Sequence, residues 1–125
     1  MSYDLVLLLD GRPTSDDILG GLGATGEDLG VRAVADGAVV QLCDEDGVPV
    51  VSIEIPLLVQ VPGEVERLLG PAVGAVKTPA WWVEVRAAPD ERARGIAHRY
   101  AEDQVARLGG RVCTTSPVAA GQEQS

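Results

Sequence analysis

At 125 residues the chain has the length of one domain, and its 46% hydrophobic and 23% charged residues argue against a disordered protein. Its formal charge of −9 argues against a general nucleic-acid binder, because phosphate binding needs a basic surface. Phenylalanine is absent and the aromatic residues are Tyr3, Trp81, Trp82 and Tyr100, so the core must be built from Val, Leu, Ile and Ala.

The run YDLVLLLD (3–10) shows little alternation and reads as a central strand. It has acids at Asp4 and Asp10 where a secretory signal wants a basic start, and it falls far short of the ~20 apolar residues of a membrane span. A cytoplasmic protein without membrane contact is expected. In GRPTSDDILGGLG, Thr14 or Ser15 can cap a helix, Asp16 and Asp17 suit its positive end, and the glycines from Gly20 onward are expected to stop it soon. Three runs follow, LGVRAVA, AVVQLCD and VPVVSIEI, separated by Asp36-Gly37 and Asp46-Gly47. Asp-Gly pairs favour tight reversals, so 30–55 reads as a three-stranded antiparallel meander. In its last strand Val51, Ile53 and Ile55 should face one way, with Ser52 and Glu54 facing the other.

IPLLVQVPGEVERLLGP reads as an extended stretch ended by Pro62, then a short helix over 63–69 closed by Gly70-Pro71. WWVEVRA predicts another strand. The best helix is PDERARGIAHRYAEDQVARLGG, with Pro89 in its first turn, acids at Asp90 and Glu91, and a stop at Gly109-Gly110. Ala93, Ala97, Tyr100, Ala101 and Leu108 form an apolar stripe at helical spacing, flanked by Ile96 and Val105. RVCTT can return as a last strand. The order β-α-β-β-β-(α)-β-α-β implies an α+β sandwich of two layers, with a mostly antiparallel sheet of five or six strands and helices on one face. A ferredoxin-like arrangement elaborated by the meander is the nearest simple architecture. One domain is expected over 1–113, followed by a mobile tail at 114–125.

Charge is unevenly spread: residues 1–75 hold 13 acids and 3 bases, whereas residues 76–125 hold 6 acids and 7 bases. An acidic region of this kind is either an ordinary solvated surface or a face that attracts a basic protein partner. Cys43 and Cys113 form no CxxC pair and lack a neighbouring histidine cluster, which points to free thiols in a reducing compartment. Arginine outnumbers lysine nine to one and Ala, Gly and Val abound, a bias typical of a GC-rich bacterial genome.

GLGATG (21–26) matches the dinucleotide fingerprint letter for letter. That site needs its first glycine directly after a strand and a helix beginning there. Here some ten residues separate it from the strand and a strand follows it, so glycine-rich helix termination explains it better. In DEDG (44–47), an EF-hand register would place Leu42 and Ile53 at ligand positions, which excludes calcium of that type and leaves a hairpin turn. His98 is the one histidine; it lies one turn from Arg94 and Glu102, an ordinary surface setting, and no nucleophile-elbow pattern accompanies it. No catalytic residue, cofactor or metal is expected. Gln104 falls near the centre of the apolar stripe, where burial would demand hydrogen-bond partners.

Trp81 and Trp82 are adjacent, and neighbours on a strand point to opposite faces. Trp81, Val83, Val85 and Ala87 should join the core beneath the helices. Trp82 should then lie on the other, open face with Glu84 and Arg86, either covering apolar neighbours there or packing under the Pro71–Pro79 loop, or else anchoring a partner. The stretch GAVVQLCDEDGVPVVSIEIPLLVQVPGEVERLLGP, followed by WWVEVRAA, resembles an actinobacterial family of unknown function often encoded beside type VII secretion genes, over residues 37–88. The resemblance implies an accessory interaction role and carries no catalytic residue.

The expected function is therefore a non-enzymatic module that binds another protein, or a second copy of itself, through the open sheet face. Trp82, Glu84 and Arg86 would form that surface, with Asp44, Glu45 and Asp46 at its acidic rim. A secretion accessory and an immunity-type adaptor masking a basic toxin both fit the charge. The alternatives are a small-molecule binder or enzyme using a cleft between sheet and long helix, lined by His98, Tyr100 and Gln104, and a purely homodimeric structural domain.

Overall fold

The structure, a computed structural model, describes residues 2–61, 63–70 and 78–114. Its centre is β1 (Tyr3–Leu9), paired antiparallel with β6 (Ala80–Ala87) on one side and β7 (Gly110–Thr114) on the other. Leu5, Leu7 and Leu9 point to one face and are fully buried, while Val6 and Leu8 point to the other and are 3% exposed. The missing alternation in this strand therefore has a physical cause: both of its faces are covered.

The meander forms as expected, as β2 (Gly30–Val34), β3 (Val39–Cys43) and β4 (Pro49–Glu54). Gly37 and Gly47 adopt positive φ in the two reversals, and β4 joins the sheet beside β6. A short strand β5 (Leu57–Val59) pairs with the first half of β6, on the edge that β4 leaves free. All pairings are antiparallel, in the order β2-β3-β4-β6-β1-β7 with β5 beside β6. The subset β4-β6-β1-β7 has the strand order of a ferredoxin-like sheet, and β2 and β3 extend it. The fold is a two-layer α+β sandwich with an open, antiparallel seven-stranded sheet.

Two helices cover the face that carries Leu5, Leu7 and Leu9. Helix α1 (Ser15–Ala24) starts at a capping box in which the Thr14 side chain accepts from the Asp17 N–H and the Asp17 carboxylate accepts from the Thr14 N–H. The expected stop at Gly20 does not occur. The helix runs through Gly20, Gly21 and Gly23, and at Gly21 it lies too close to α3 (Glu91–Leu108) for a side chain. A Cβ on Gly21 would sit 2.7 Å from Gln104 Nε2 and from Tyr100 Cε1. GLGATG is thus a helix-packing feature.

Helix α3 begins one step later than expected. Asp90 is its N-cap, accepting from the Ala93 N–H at 2.8 Å, so Pro89 lies outside the first turn. Ala93, Ile96, Ala97, Tyr100, Ala101 and Gln104 are buried against the sheet and α1. Ile55 departs from expectation as well: β4 ends at Glu54, and Ile55 is 49% exposed rather than sharing the core with Val51 and Ile53.

Helix α2 (Glu64–Leu69) lies on the other face. Its Val65 is fully buried in a small cluster with Val6 and Leu8, joined by Leu69, Val59, Trp82 and Cys113. No helix among the described residues is long and apolar enough to cross a membrane. The expected tail from 115 onward, the closure of α2 at Pro71 and the loop over 71–77 fall outside the described residues.

Candidate functional site

Alternation along β6 divides its side chains as the sequence predicts. Val83, Val85 and Ala87 are buried beneath α1 and α3, and half-buried Trp81 packs against the same cluster, its ring 5.3 Å from the Arg12 guanidinium carbon. Trp82, Glu84 and Arg86 occupy the outer face, where they form a connected row. The Trp82 Nε1–H donates to the Glu84 carboxylate at 3.2 Å, Arg86 Nη2 donates to its other oxygen at 3.1 Å, and Arg86 Nε lies 3.5 Å from Glu54. The Glu84 hydrogen bond, with Asp4 and Glu54 nearby, raises the Arg86 pKa further, so the guanidinium is firmly charged. These pairs are solvent-exposed and worth little to stability individually. They orient the indole more than they hold the fold.

The face is not open over Trp82. Val65 and Leu69 of α2 join the cluster around Val6, Leu8 and Trp82, so the indole is half-buried. Within this small cluster burial pushes the Cys113 thiol up. Cys43 is also unpaired, and the strands β4, β6 and β1 separate the two thiols. The signal for this second layer was present in β1: a strand apolar on both sides needs cover on both.

Where the outer surface is exposed and apolar, it lies beside this cover. Ile55, Leu57, Val61 and Leu68 are 49, 57, 62 and 50% exposed, while Leu58, the cross-strand partner of Trp81, turns to the other face at 42%. Leu57 is the cross-strand partner of Trp82, which ties this exposed stretch to the buried indole. Sequence reasoning saw an extended segment here and gave it no functional weight.

The acidic rim is not assembled next to Trp82. Asp44 Oδ1 accepts from the N–H groups of Asp46 and Val48 at 2.9 and 3.0 Å, which closes the β3–β4 turn. Glu45 reaches Arg92 on α3 at 3.7 Å, and Arg92 also binds Glu27 at 3.0 Å. The carboxylates serve the turn and the helix side of the sheet, while Trp82, Glu84 and Arg86 occupy the opposite side.

His98, Tyr100 and Gln104 are not gathered into one cleft either. Residues two apart on a helix point to nearly opposite sides. His98 is half-buried against β1, its Nε2 sharing a hydrogen bond of 2.8 Å with the Tyr3 hydroxyl, rather than in the ordinary surface setting expected of it. Tyr100 is 1% exposed, and burial drives its hydroxyl pKa upward, so it stays protonated. Gln104 is fully buried; its Nε2 donates to the Asp17 carbonyl at 2.8 Å, and its Oε1 lacks a hydrogen-bond partner among the described residues. Gly21 closes over both Tyr100 and Gln104 from α1.

Among the described residues, no group of three or more His, Cys, Asp or Glu side chains is arranged to hold a metal ion. The chain matches no protein-family model, and comparison with curated proteins and with solved structures finds no similar one.

Proposed function

We propose that the chain is a non-enzymatic protein-interaction module that docks a partner on the outer side of its sheet, along β5 and α2 with Trp82 at the margin. One observation carries this reading. Of the eight large apolar residues exposed to solvent among the described residues, five fall within 55–68, around one edge of the sheet. Apolar residues scattered singly need no explanation, but a concentration of them marks a contact surface. The charge of −9 favours a basic partner, and the resemblance of residues 37–88 to a secretion-associated family supports an accessory role in the cytoplasm.

Site-specific photo-crosslinking tests the reading. A photoreactive amino acid replaces Leu57 in one version of the chain and Leu19, also exposed but on α1, in another. Crosslinking is then carried out in the native host. A discrete adduct from position 57 that is missing from position 19 is the expected result. Equal adducts from both positions, or none from 57, would remove the proposal.

A further inference from the structure

We infer that α2 is a removable cover, and that the partner which takes its place on the outer face is a basic amphipathic helix of another protein. The inference rests on the docking surface proposed above and names what docks there.

Helix α2 is six residues long, too short to persist without tertiary contacts. It starts at Gly63 (φ 86°) and ends at Gly70 (φ 92°), and neither end carries a side-chain cap. By contrast, both helices of the opposite face start at a side-chain N-cap, Thr14 for α1 and Asp90 for α3. Its apolar anchors among the described residues are one fully buried side chain, Val65, and the half-buried Leu69 a turn later, with the half-buried Glu66 between them holding an interaction of its own. Beneath them lies an apolar trough on the sheet, formed by Val6, Leu8, Val59 and Trp82. The exposed Leu57, cross-strand partner of Trp82, extends that apolar surface along β5.

The cover itself shows what fits the trough: a short helix with apolar residues at i and i+4. Charge selects the competitor. Helix α2 brings Glu64 and Glu66 with a single cation, Arg67, into a chain of formal charge −9. A helix with the same apolar pair and Lys or Arg in place of Glu64 keeps the apolar contacts and gains Coulomb attraction to the acidic chain. A second copy donating its own α2 makes no such gain, because it carries the same −9.

The test uses the full chain and a probe of defined composition. Trp81→Phe leaves Trp82 as the sole indole, and Val65→Ser with Leu69→Ser loosens the cover. The probe is a hydrocarbon-stapled peptide of residues 62–71, made in its own sequence and with Glu64→Arg. In the loosened chain Trp82 emission should shift red and become more readily quenched, with the cooperative melt retained. The basic peptide should reverse the shift and bind about tenfold more tightly than it binds the chain with α2 intact, since a closed cover competes with it. It should also outbind the acidic peptide at low salt and lose that advantage at high salt.

Three results would overturn the inference. Unchanged Trp82 emission in a folded variant shows that α2 is not a cover. An exposed Trp82 that binds neither peptide shows that the trough does not take helices. Equal binding of both peptides at low salt, or a sedimentation-detected dimer exchanging α2, shows that the occupant is not a basic helix. If the double variant fails to fold, Leu69→Ala alone carries the same comparison. Crosslinking from position 57 that survives while the peptides fail leaves the docking surface standing and removes only the cover.

Discussion

Each face of this sheet contains fully shielded side chains, but the two faces hold them differently. Leu7 on one face and Val65 on the other are both fully shielded from water. Leu7 lies beneath α1 and α3, helices of 10 and 18 residues whose N-termini are capped by side chains. Val65 belongs to a six-residue helix without side-chain caps, and it is itself the anchor of its cover. Burial shows where a side chain sits; the length and attachment of what lies above it decide how easily that cover lifts.

Truncations on the two faces should separate these cases. Leu7→Ala removes a central contact of the larger core and should cost about 3 kcal/mol in chemical denaturation; a loss under about 1 kcal/mol would place the main core elsewhere. Next comes Gly21→Ala. Alanine favours a helix interior by up to about 1 kcal/mol, but its Cβ would sit 2.7 Å from Tyr100 and Gln104, so a net loss of about 1–2 kcal/mol is expected. A net gain would mean that α1 can move off α3 cheaply.

A smaller effect gives the sharper comparison. Val85 and Val65 are the same residue type and are equally buried. Val85→Ala should cost about 2 kcal/mol, but Val65→Ala only about half of that, because the chain can let α2 go and keep its main core. Hydrogen exchange should agree, with α2 amides exchanging well before those of β1 and β6. Equal costs for the two valines would erase the distinction between the faces.

The smallest effect is electrostatic. The hydrogen bonds from Thr14 hold the Asp17 carboxyl below the usual carboxylate range. A group whose folded pKa is depressed stabilises above its unfolded pKa, and that contribution disappears as pH falls through the folded value. Asp17→Asn should therefore flatten the acid limb of a melting-temperature profile and leave α2 exchange unchanged. An acid limb identical to that of the parent chain would show that the capping box carries no pH dependence.

Most of the architecture was legible because local chemistry and tertiary contacts agree. Asp36-Gly37 and Asp46-Gly47 set the meander, and Ala93, Ala97, Tyr100 and Ala101 of the α3 stripe are buried together with the flanking Ile96 and the central Gln104, while Leu108 stays half-buried. Failures occurred where a distant contact outweighed local propensity. Gly20 and Gly21 read as a helix stop, because nothing nearby announces that Tyr100, Gln104 and Arg107 occupy the space beside them. Of the candidate surface, the row Trp82, Glu84, Arg86 followed from alternation alone. The acidic turn could not be placed relative to it, since Glu45 is drawn to Arg92 by the packing of α3 over the sheet. The cover on Trp82 was readable in principle from the doubly apolar β1, but which segment supplies it depends on topology.

The central position of β1 has a consequence for biosynthesis. Among the described strands it is the first in the chain, yet its neighbours are the last two: Tyr3 pairs with Ala87, and Leu5 with Thr114. A nascent chain therefore carries Val6 to Leu9 unpaired until nearly all of the described residues have left the ribosome, so closure of the sheet is a late, long-range event. During that interval this sticky segment of one valine and three leucines is at risk of association, and a holdase or crowded polysomes should affect the yield of this protein more than its final stability suggests.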